Sequence, residues 1–155
     1  SFQPSCAGRA TGNLATVIAD HPLLDPMDHE GWCDWQFASL LEGGCAVVWD
    51  DLPMPFAPLL EVVSSFKTIR KQAAVFECRV GAGRLLVCGL RLSADDAGGA
   101  WLRQALVRHA SSDQFQPEPA LPLPALRELC GLASTAVELL GTDQGFDDRA
   151  QIKGH

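Results

Sequence analysis

The sequence has no apolar run long enough to cross a membrane, and its cationic residues are in the minority. No segment reaches the roughly 18 consecutive apolar residues of a transmembrane helix, and the N-terminus lacks the pattern of a signal peptide. The 155 residues contain 12 Lys and Arg against 19 Asp and Glu, a formal net charge of −7. Because nucleic acids and anionic membranes bind basic surfaces, this charge argues against both kinds of partner.

Motifs that carry chemistry are also missing. None of the six cysteines forms a Cys-x-x-Cys pair, which argues against zinc-ribbon and thioredoxin-like sites. Cys45 begins an apolar run rather than ending one, so it does not sit on the elbow that a cysteine nucleophile needs. Gly81-Ala82-Gly83 lacks the following helix of a phosphate-binding loop. The four histidines show no pairing pattern. We therefore expect no catalytic residue, no metal and no cofactor in this chain.

The cysteine pattern bears on the compartment. Cys45, Cys78 and Cys88 lie within apolar strand patterns, where a free thiol behaves as a small core hydrophobe. We expect all six cysteines to be reduced, which favours a cytoplasmic protein.

The clearest structural pattern is a β-hairpin within residues 73–92, where two apolar runs flank the turn-forming glycines 81 and 83. Residues 14–19 and 45–49 predict two more strands, and the unbroken apolar run of the second is typical of a strand buried on both faces. Helices are predicted at residues 32–41 and 97–109. Together these elements predict an α/β fold, a three-layer unit with a mixed sheet. It is short for a complete doubly wound fold, which suggests that opening strands are missing.

Composition along the chain predicts four segments. Residues 1–113 form the α/β domain, and residues 114–124 are a Pro-rich linker. Residues 125–141 form a C-terminal helix, and residues 142–155 are a flexible tail.

The most distinctive side chains are two tryptophans beside acidic residues. Trp32 and Trp35 lie close in sequence to Glu30 and Asp34. Aromatic faces beside carboxylates are the usual elements of a carbohydrate site, so these four residues are the candidate sugar-binding residues. The alternative is that the tryptophans anchor a helix to the sheet, as large aromatic side chains commonly do.

A small hydrolase is the remaining alternative, with Asp50, Glu30 or Glu77 as acid or base. A retaining glycosidase needs two carboxyl groups about 5–5.5 Å apart, and nothing in the sequence spacing requires this. Asp50 and Asp51 follow a predicted strand, and neighbouring residues on a strand point to opposite faces. We therefore expect them to belong to a turn.

Several segments taken together resemble a known family. They occur in the order His21-Pro-Leu-Leu24, Glu30-Gly-Trp-Cys-Asp-Trp-Gln-Phe37, Val48-Trp-Asp-Asp-Leu-Pro53 and Phe76-Glu-Cys-Arg-Val-Gly-Ala-Gly-Arg-Leu-Leu-Val-Cys88. Over about residues 14–110 the chain resembles the C-terminal region of large bacterial glycoside hydrolases of the β-galactosidase/β-glucuronidase type. That region is an accessory domain similar to class I glutamine amidotransferases, with a flavodoxin-like fold.

The resemblance implies a role without catalysis. In that family the catalytic glutamates lie on a separate barrel domain, and neither they nor the amidotransferase cysteine has a match here. The implied function is a structural or interaction module that packs against other domains of the parent glycosidase or against identical subunits. A carbohydrate is the other partner that the sequence suggests.

Overall fold

The computed structural model of the chain describes residues 2–4, 15–33, 37–63 and 70–132. Within these ranges the elements follow one another as β1 (Phe2–Pro4), β2 (Ala15–Ile18), α1 (Ala38–Leu41), β3 (Cys45–Val48), β4 (Leu60–Val63), β5 (Gln72–Val80), β6 (Gly83–Cys88), α2 (Ala97–Ala110) and α3 (Leu123–Leu129).

The six strands form one curled sheet, and every pair of named strands is antiparallel. The order is β1-β3-β5-β4-β2, with β6 also paired to β5. The prediction of a three-layer, flavodoxin-like α/β unit with a mixed sheet is therefore wrong. The registers of all five strand pairs are antiparallel, and in the described part of the connection between β2 and β3 only the four residues of α1 form an α-helix. The inference of missing opening strands rested on the size of a doubly wound fold, so it falls with that prediction.

The pattern that misled the prediction is the apolar run of β3. Residues 46–48 are all buried although the strand pairs antiparallel on both sides. They are buried because both faces of this part of the sheet are covered. An apolar run indicates such burial, but it does not distinguish an antiparallel strand from a parallel one.

One face carries the larger core, called here the helix-side core. The turn after β2, α1 and α2 pack on this face, and the buried side chains include Leu24, Phe37, Leu40, Leu60, Val62, Val75 and Leu102. The opposite face carries a smaller loop-side core, which is covered by the loop after β3 and by residues 121–129. Its buried side chains include Val47, Trp49, Phe76, Cys78 and Leu121.

A β-bulge in β5 decides which side chains of that strand reach which core. Leu60 of β4 pairs with Val75, but Glu61 pairs with Ala73, so Ala74 is an extra residue in β5. Ala74 and Val75 both pack into the helix-side core, although strict alternation would send them to opposite faces. The bulge thus reverses the alternation beyond it, and Phe76 faces the loop side while Glu77 faces the helices.

The hairpin prediction is confirmed by β5 and β6, and Gly81 adopts a φ of +58° in the turn, a conformation that favours glycine. The helix predicted at 97–109 is also confirmed as α2. Its buried residues Gly99, Leu102, Leu106 and His109 lie on one face. The helix predicted from Trp32 is limited in the described residues to the four residues of α1. None of the described helices is long and apolar enough to span a membrane.

The Pro-rich stretch lies against the sheet where it is described. Arg79 donates its N–H to the carbonyl of Pro119, and Leu121 donates to the carbonyl of Arg79, which places residues 119–121 parallel to β5. α3 follows directly, and residues 133–155, which hold the rest of the predicted helix and tail, lie outside the described residues.

Replacing Gly89 should destabilise the fold, because this residue joins β6 to β3. Its N–H donates to Ala74, and its carbonyl accepts from the N–H of Cys45. A Cβ here would stand 2.1 Å from the Cys45 carbonyl oxygen, so the backbone must move. We expect Gly89→Ala to lower the free energy of unfolding by about 2 kcal/mol or more, measured by urea denaturation. Gly83→Ala is the control, because its Cβ meets nothing closer than 3.4 Å. Equal stability of the two variants would contradict this account.

Candidate functional site

Three titratable side chains meet beneath the helix side of the sheet, and they are called here the His–Glu cluster: His21, Glu77 and His109. His109 Nε2 lies 3.0 Å from Glu77 Oε2, and His21 Nε2 lies 3.9 Å from Glu77 Oε1. The two imidazole rings meet edge to face with their centroids 5.1 Å apart. Glu77 thus receives one hydrogen bond and one longer electrostatic contact.

Each member of the cluster comes from a different element. Glu77 lies on β5, three residues after the bulge residue Ala74. His109 lies in the last turn of α2, on the same buried face as Leu102 and Leu106. His21 opens the turn after β2, where its carbonyl accepts the N–H of Leu24. The cluster therefore connects a loop and a helix to the central strand.

The hydrogen bonds of His21 identify its neutral tautomer. Its Nδ1 accepts the backbone N–H of Leu23 at 3.2 Å, so the proton of the neutral ring is on Nε2. That Nε2–H faces the Glu77 carboxylate. Burial lowers the pKa of His21 from its ordinary value of 6.5, and the nearby His109 lowers it further, against the opposing effects of Glu77 and Asp25.

The three side chains are of the types that bind zinc or iron, and their ligand atoms lie within 4.8 Å of one another. A metal-bound His21 would offer the lone pair of Nε2 and carry its proton on Nδ1. That Nδ1–H would then face the N–H of Leu23, and two donors would oppose each other. The arrangement therefore fits a His21 Nε2–H directed towards Glu77 better than it fits a metal ion.

A cavity of about 240 Å³ opens beside the cluster. Its walls combine apolar residues of the turn after β2 and of α2 with polar residues at the end of α2, and they are Pro22, Leu23, Pro26, Trp101, Ala105, Arg108, His109, Ser112 and Gln114. His109 belongs to both the cluster and the cavity wall.

A second feature is an exposed apolar strip on β2 and β4, defined by Val17, Trp32 and Val63. Val17 pairs with Glu61, and Ala15 pairs with Val63, so Val17 and Val63 lie on the same face of this strand pair. The opposite face of the pair is buried in the helix-side core. The side chains of Val17, Trp32 and Val63 are 49%, 45% and 37% exposed.

Trp32 joins the strip because its chain segment runs along the outer edge of β2. Ile18 donates its N–H to the carbonyl of Gly31 at 2.7 Å, and Cys33 donates its N–H to Thr16 Oγ1 at 2.7 Å. The backbone of Trp32 therefore lies at the outer edge of β2, the strand that carries Val17. The strip lies on the same face of the sheet as the loop-side core, in a part of that face that the core does not cover.

Of the four candidate sugar-binding residues, the structure describes two. Trp32 and Glu30 are exposed, and Asp34 and Trp35 lie outside the described residues. The arrangement of all four as one carbohydrate site stays a prediction.

Asp50 and Glu77, two of the three carboxylates considered for a small hydrolase, are not brought together. Asp50 accepts the N–H of Lys71 before β5 begins, and Glu77 lies six residues further along that strand. At about 3.4 Å a residue, this separates them by roughly 20 Å. Glycosidase carboxylates are about 5–9.5 Å apart, so Asp50 and Glu77 cannot act as such a pair.

Sequence reasoning missed the convergence of His21, Glu77 and His109. The three residues are up to 88 positions apart in the chain, from 21 to 109. The one usable signal was a glutamate between Phe76 and Cys78, two residues that are fully buried in β5. A charge in such a position calls for a partner.

The lowered pKa of His21 predicts how stability depends on pH. The unfolded chain binds a proton on this residue more readily than the folded one, so the free energy of unfolding should fall as the pH drops below about 6.5. Above that pH the residue is neutral in both states and has no effect. His21→Asn removes the titration but keeps an acceptor for Leu23, and urea unfolding between pH 5 and 8 should show a shallower loss of stability at acid pH.

His29 is the matched control for this experiment. Its Nδ1 accepts the N–H of Gly31 in the same kind of turn, but it is not a member of the cluster. His29→Asn should leave the pH dependence close to that of the unmodified chain. The explanation fails if His21→Asn has the same pH dependence as the unmodified chain.

Comparison with known proteins places these features in a family. A family model described as "Domain of unknown function (DUF8487)" matches residues 3–131, which include the whole His–Glu cluster and the exposed apolar strip. No curated protein matches the chain. Because the match spans most of the chain, the protein belongs to the family of domains of unknown function DUF8487.

Proposed function

We propose that this domain is a non-catalytic interaction module of a bacterial glycoside hydrolase, and that it docks onto another domain of the parent enzyme through the exposed apolar strip. The observation that carries the docking proposal is the strip itself. Val17 and Val63 are exposed on one face of the β2–β4 pair, and Trp32 is exposed in the segment along the edge of β2. Exposed large apolar side chains grouped in this way are typical of interaction surfaces.

Charge favours a different domain over a second copy of the chain. Glu61 lies within the strip opposite Val17, and the exposed Glu30 lies close to Trp32 in sequence. A two-fold dimer would bring the same acidic residues of two chains, each with a net charge of −7, against each other. A neutral or basic surface on the parent enzyme avoids this repulsion.

The glycosidase part of the proposal rests on the sequence segments that carry the resemblance. In the fold, His21 of one segment contacts Glu77 of another, and Trp49 of a third packs against Phe76 with ring centroids 4.8 Å apart. These segments therefore build the centre of the domain. In the family that the segments resemble, the catalytic glutamates belong to a different domain, which agrees with a non-catalytic role for these core residues.

The thiols support an inert, intracellular module. All five described cysteines are free. Burial raises the pKa of Cys33 to about 11, against the smaller opposing effect of the Thr16 hydroxyl. Burial also raises the pKa of Cys78 and Cys88. A thiol that resists ionisation is a poor nucleophile, and free thiols fit a cytoplasmic compartment.

A carbohydrate-binding module is the second candidate. It is favoured by the exposure of both Trp32 and Glu30, since an exposed indole beside a carboxylate can stack on and hydrogen-bond a sugar. The segment that carries Trp32 runs along the edge of β2, the strand of the exposed Val17, which favours docking to protein.

The docking proposal is tested in the intact parent enzyme with two valine variants. Val17→Lys places a charge in the strip and should release the domain, so that it unfolds in a separate, earlier transition by calorimetry. Val107→Lys is the matched control, because Val107 is 62% exposed but lies on α2, outside the strip. Hydroxyl-radical footprinting should also show less oxidation of Trp32 in the parent than in the isolated domain.

Two results would overturn this function. If both lysine variants unfold like the unmodified parent and Trp32 is equally oxidised in both contexts, the strip is not the docking surface. If the coding sequence around this domain contains no glycosidase domain, the assignment to a glycoside hydrolase is wrong.

A further inference from the structure

We infer that the cavity beside the His–Glu cluster is a binding site for one pyranose ring of a neutral sugar. The cavity lies between the turn after β2 and the end of α2, and its buried polar end is formed by His109. This site is distinct from the exposed apolar strip, because it shares no residue with Val17, Trp32 and Val63.

The observation that points to a ligand is the second nitrogen of His109. The His109 side chain is only 8% exposed, and its Nε2 is hydrogen-bonded to Glu77. Among the described residues nothing hydrogen-bonds to Nδ1. In the described residues that are not exposed, every fully buried side-chain nitrogen or oxygen has a hydrogen-bond partner. Nδ1 is therefore not fully buried, and His109 is a wall residue of this cavity.

The hydrogen bond between Nε2 of His109 and Glu77 determines what the other ring nitrogen, Nδ1, can bind. In the neutral tautomer that donates its Nε2–H to the Glu77 carboxylate, Nδ1 carries a free lone pair. A ligand that matches it must donate a hydrogen bond, as a sugar hydroxyl does.

The remaining walls complete the match to a sugar. Trp101 and the two prolines 22 and 26 provide an apolar surface for the C–H face of a pyranose ring. Arg108 and Gln114 line the same cavity, and among the described residues no hydrogen bond or ion pair occupies their side-chain N–H groups. They can donate to hydroxyl oxygens while Nδ1 accepts. This is the pattern of a small-molecule site: an apolar wall with a few convergent polar groups.

The volume of the cavity and the charge at its rim further restrict the class of ligand. The volume of about 240 Å³ lies below the range of about 300–1,000 Å³ of pockets for drug-sized ligands, which favours a single ring over an extended oligosaccharide. Ser112 Oγ donates to the carbonyl of His109 and so closes the end of α2. Arg108 is at the exposed rim, so its charge is screened by water and does not require an anionic ligand.

The proposed sugar site rests on the proposed function only for its biological context. The site itself follows from the residues of the cavity. The two proposals also have separate readouts. Docking is measured on the parent enzyme with variants at Val17, whereas sugar binding is measured on the isolated chain with variants at Arg108 and Gln114.

The test is a titration of the chain with methyl β-D-galactopyranoside and methyl β-D-glucopyranoside, followed by NMR of the histidine ring nitrogens. We expect saturable binding of at least one glycoside in the millimolar range, with a shift of His109 Nδ1, and no comparable shift with glycerol. Gln114→Ala and Arg108→Ala should each weaken binding by about tenfold, as expected for a lost hydrogen bond.

Two residues of α2 provide matched controls. Arg103 and Gln104 are exposed on the same helix but are not part of the cavity wall, so Arg103→Ala and Gln104→Ala should leave the affinity unchanged. Trp32→Ser distinguishes the cavity from the strip, because a sugar held at the strip would lose affinity in this variant. The inference is overturned if neither glycoside gives a saturable shift at about 100 mM, if glycerol shifts Nδ1 equally, or if Trp32→Ser abolishes binding while the cavity variants do not.

Discussion

The β-bulge at Ala74 is the constraint on which the described site depends. One extra residue in β5 reverses the alternation of the strand, so Glu77 faces α2 and the turn after β2 instead of the loop-side core. Without it, Phe76 would face the helices and the carboxylate would be placed against Val47 and Trp49. The bulge therefore decides that the polar side chain of β5 meets two histidines while its apolar neighbours close the opposite core.

The Glu77 carboxylate needs partners at this buried position, because a charge that is buried and unpaired costs more free energy than a hydrogen bond in a folded protein usually contributes. His109 supplies a hydrogen bond at 3.0 Å and His21 a longer contact. The same pairing holds α2 and the turn after β2 against the sheet and leaves a cavity between them. The interaction between Glu77 and the two histidines thus serves both the packing of the fold and the candidate ligand site. His109, which lines that site, also stabilises the fold.

Local elements were predictable from the sequence, and their assembly was not. The hairpin was evident from glycines between two apolar runs, and α2 from the spacing of its apolar residues. The antiparallel sheet was mistaken for an α/β fold because Cys45–Val48 is apolar throughout, which reports burial on both faces but not strand direction. The His–Glu cluster could not be predicted, because a one-residue bulge leaves no mark in the residue pattern and its members are far apart in the chain.

The most direct test of the account is a double-mutant cycle on Glu77→Gln and His109→Gln, with the free energy of unfolding measured by urea denaturation at pH 7. Because the carboxylate and the imidazole are both largely buried and hydrogen-bonded to each other, the account predicts a coupling energy of about 1–2 kcal/mol between the two positions. Additivity of the two substitutions to within about 0.5 kcal/mol would contradict it.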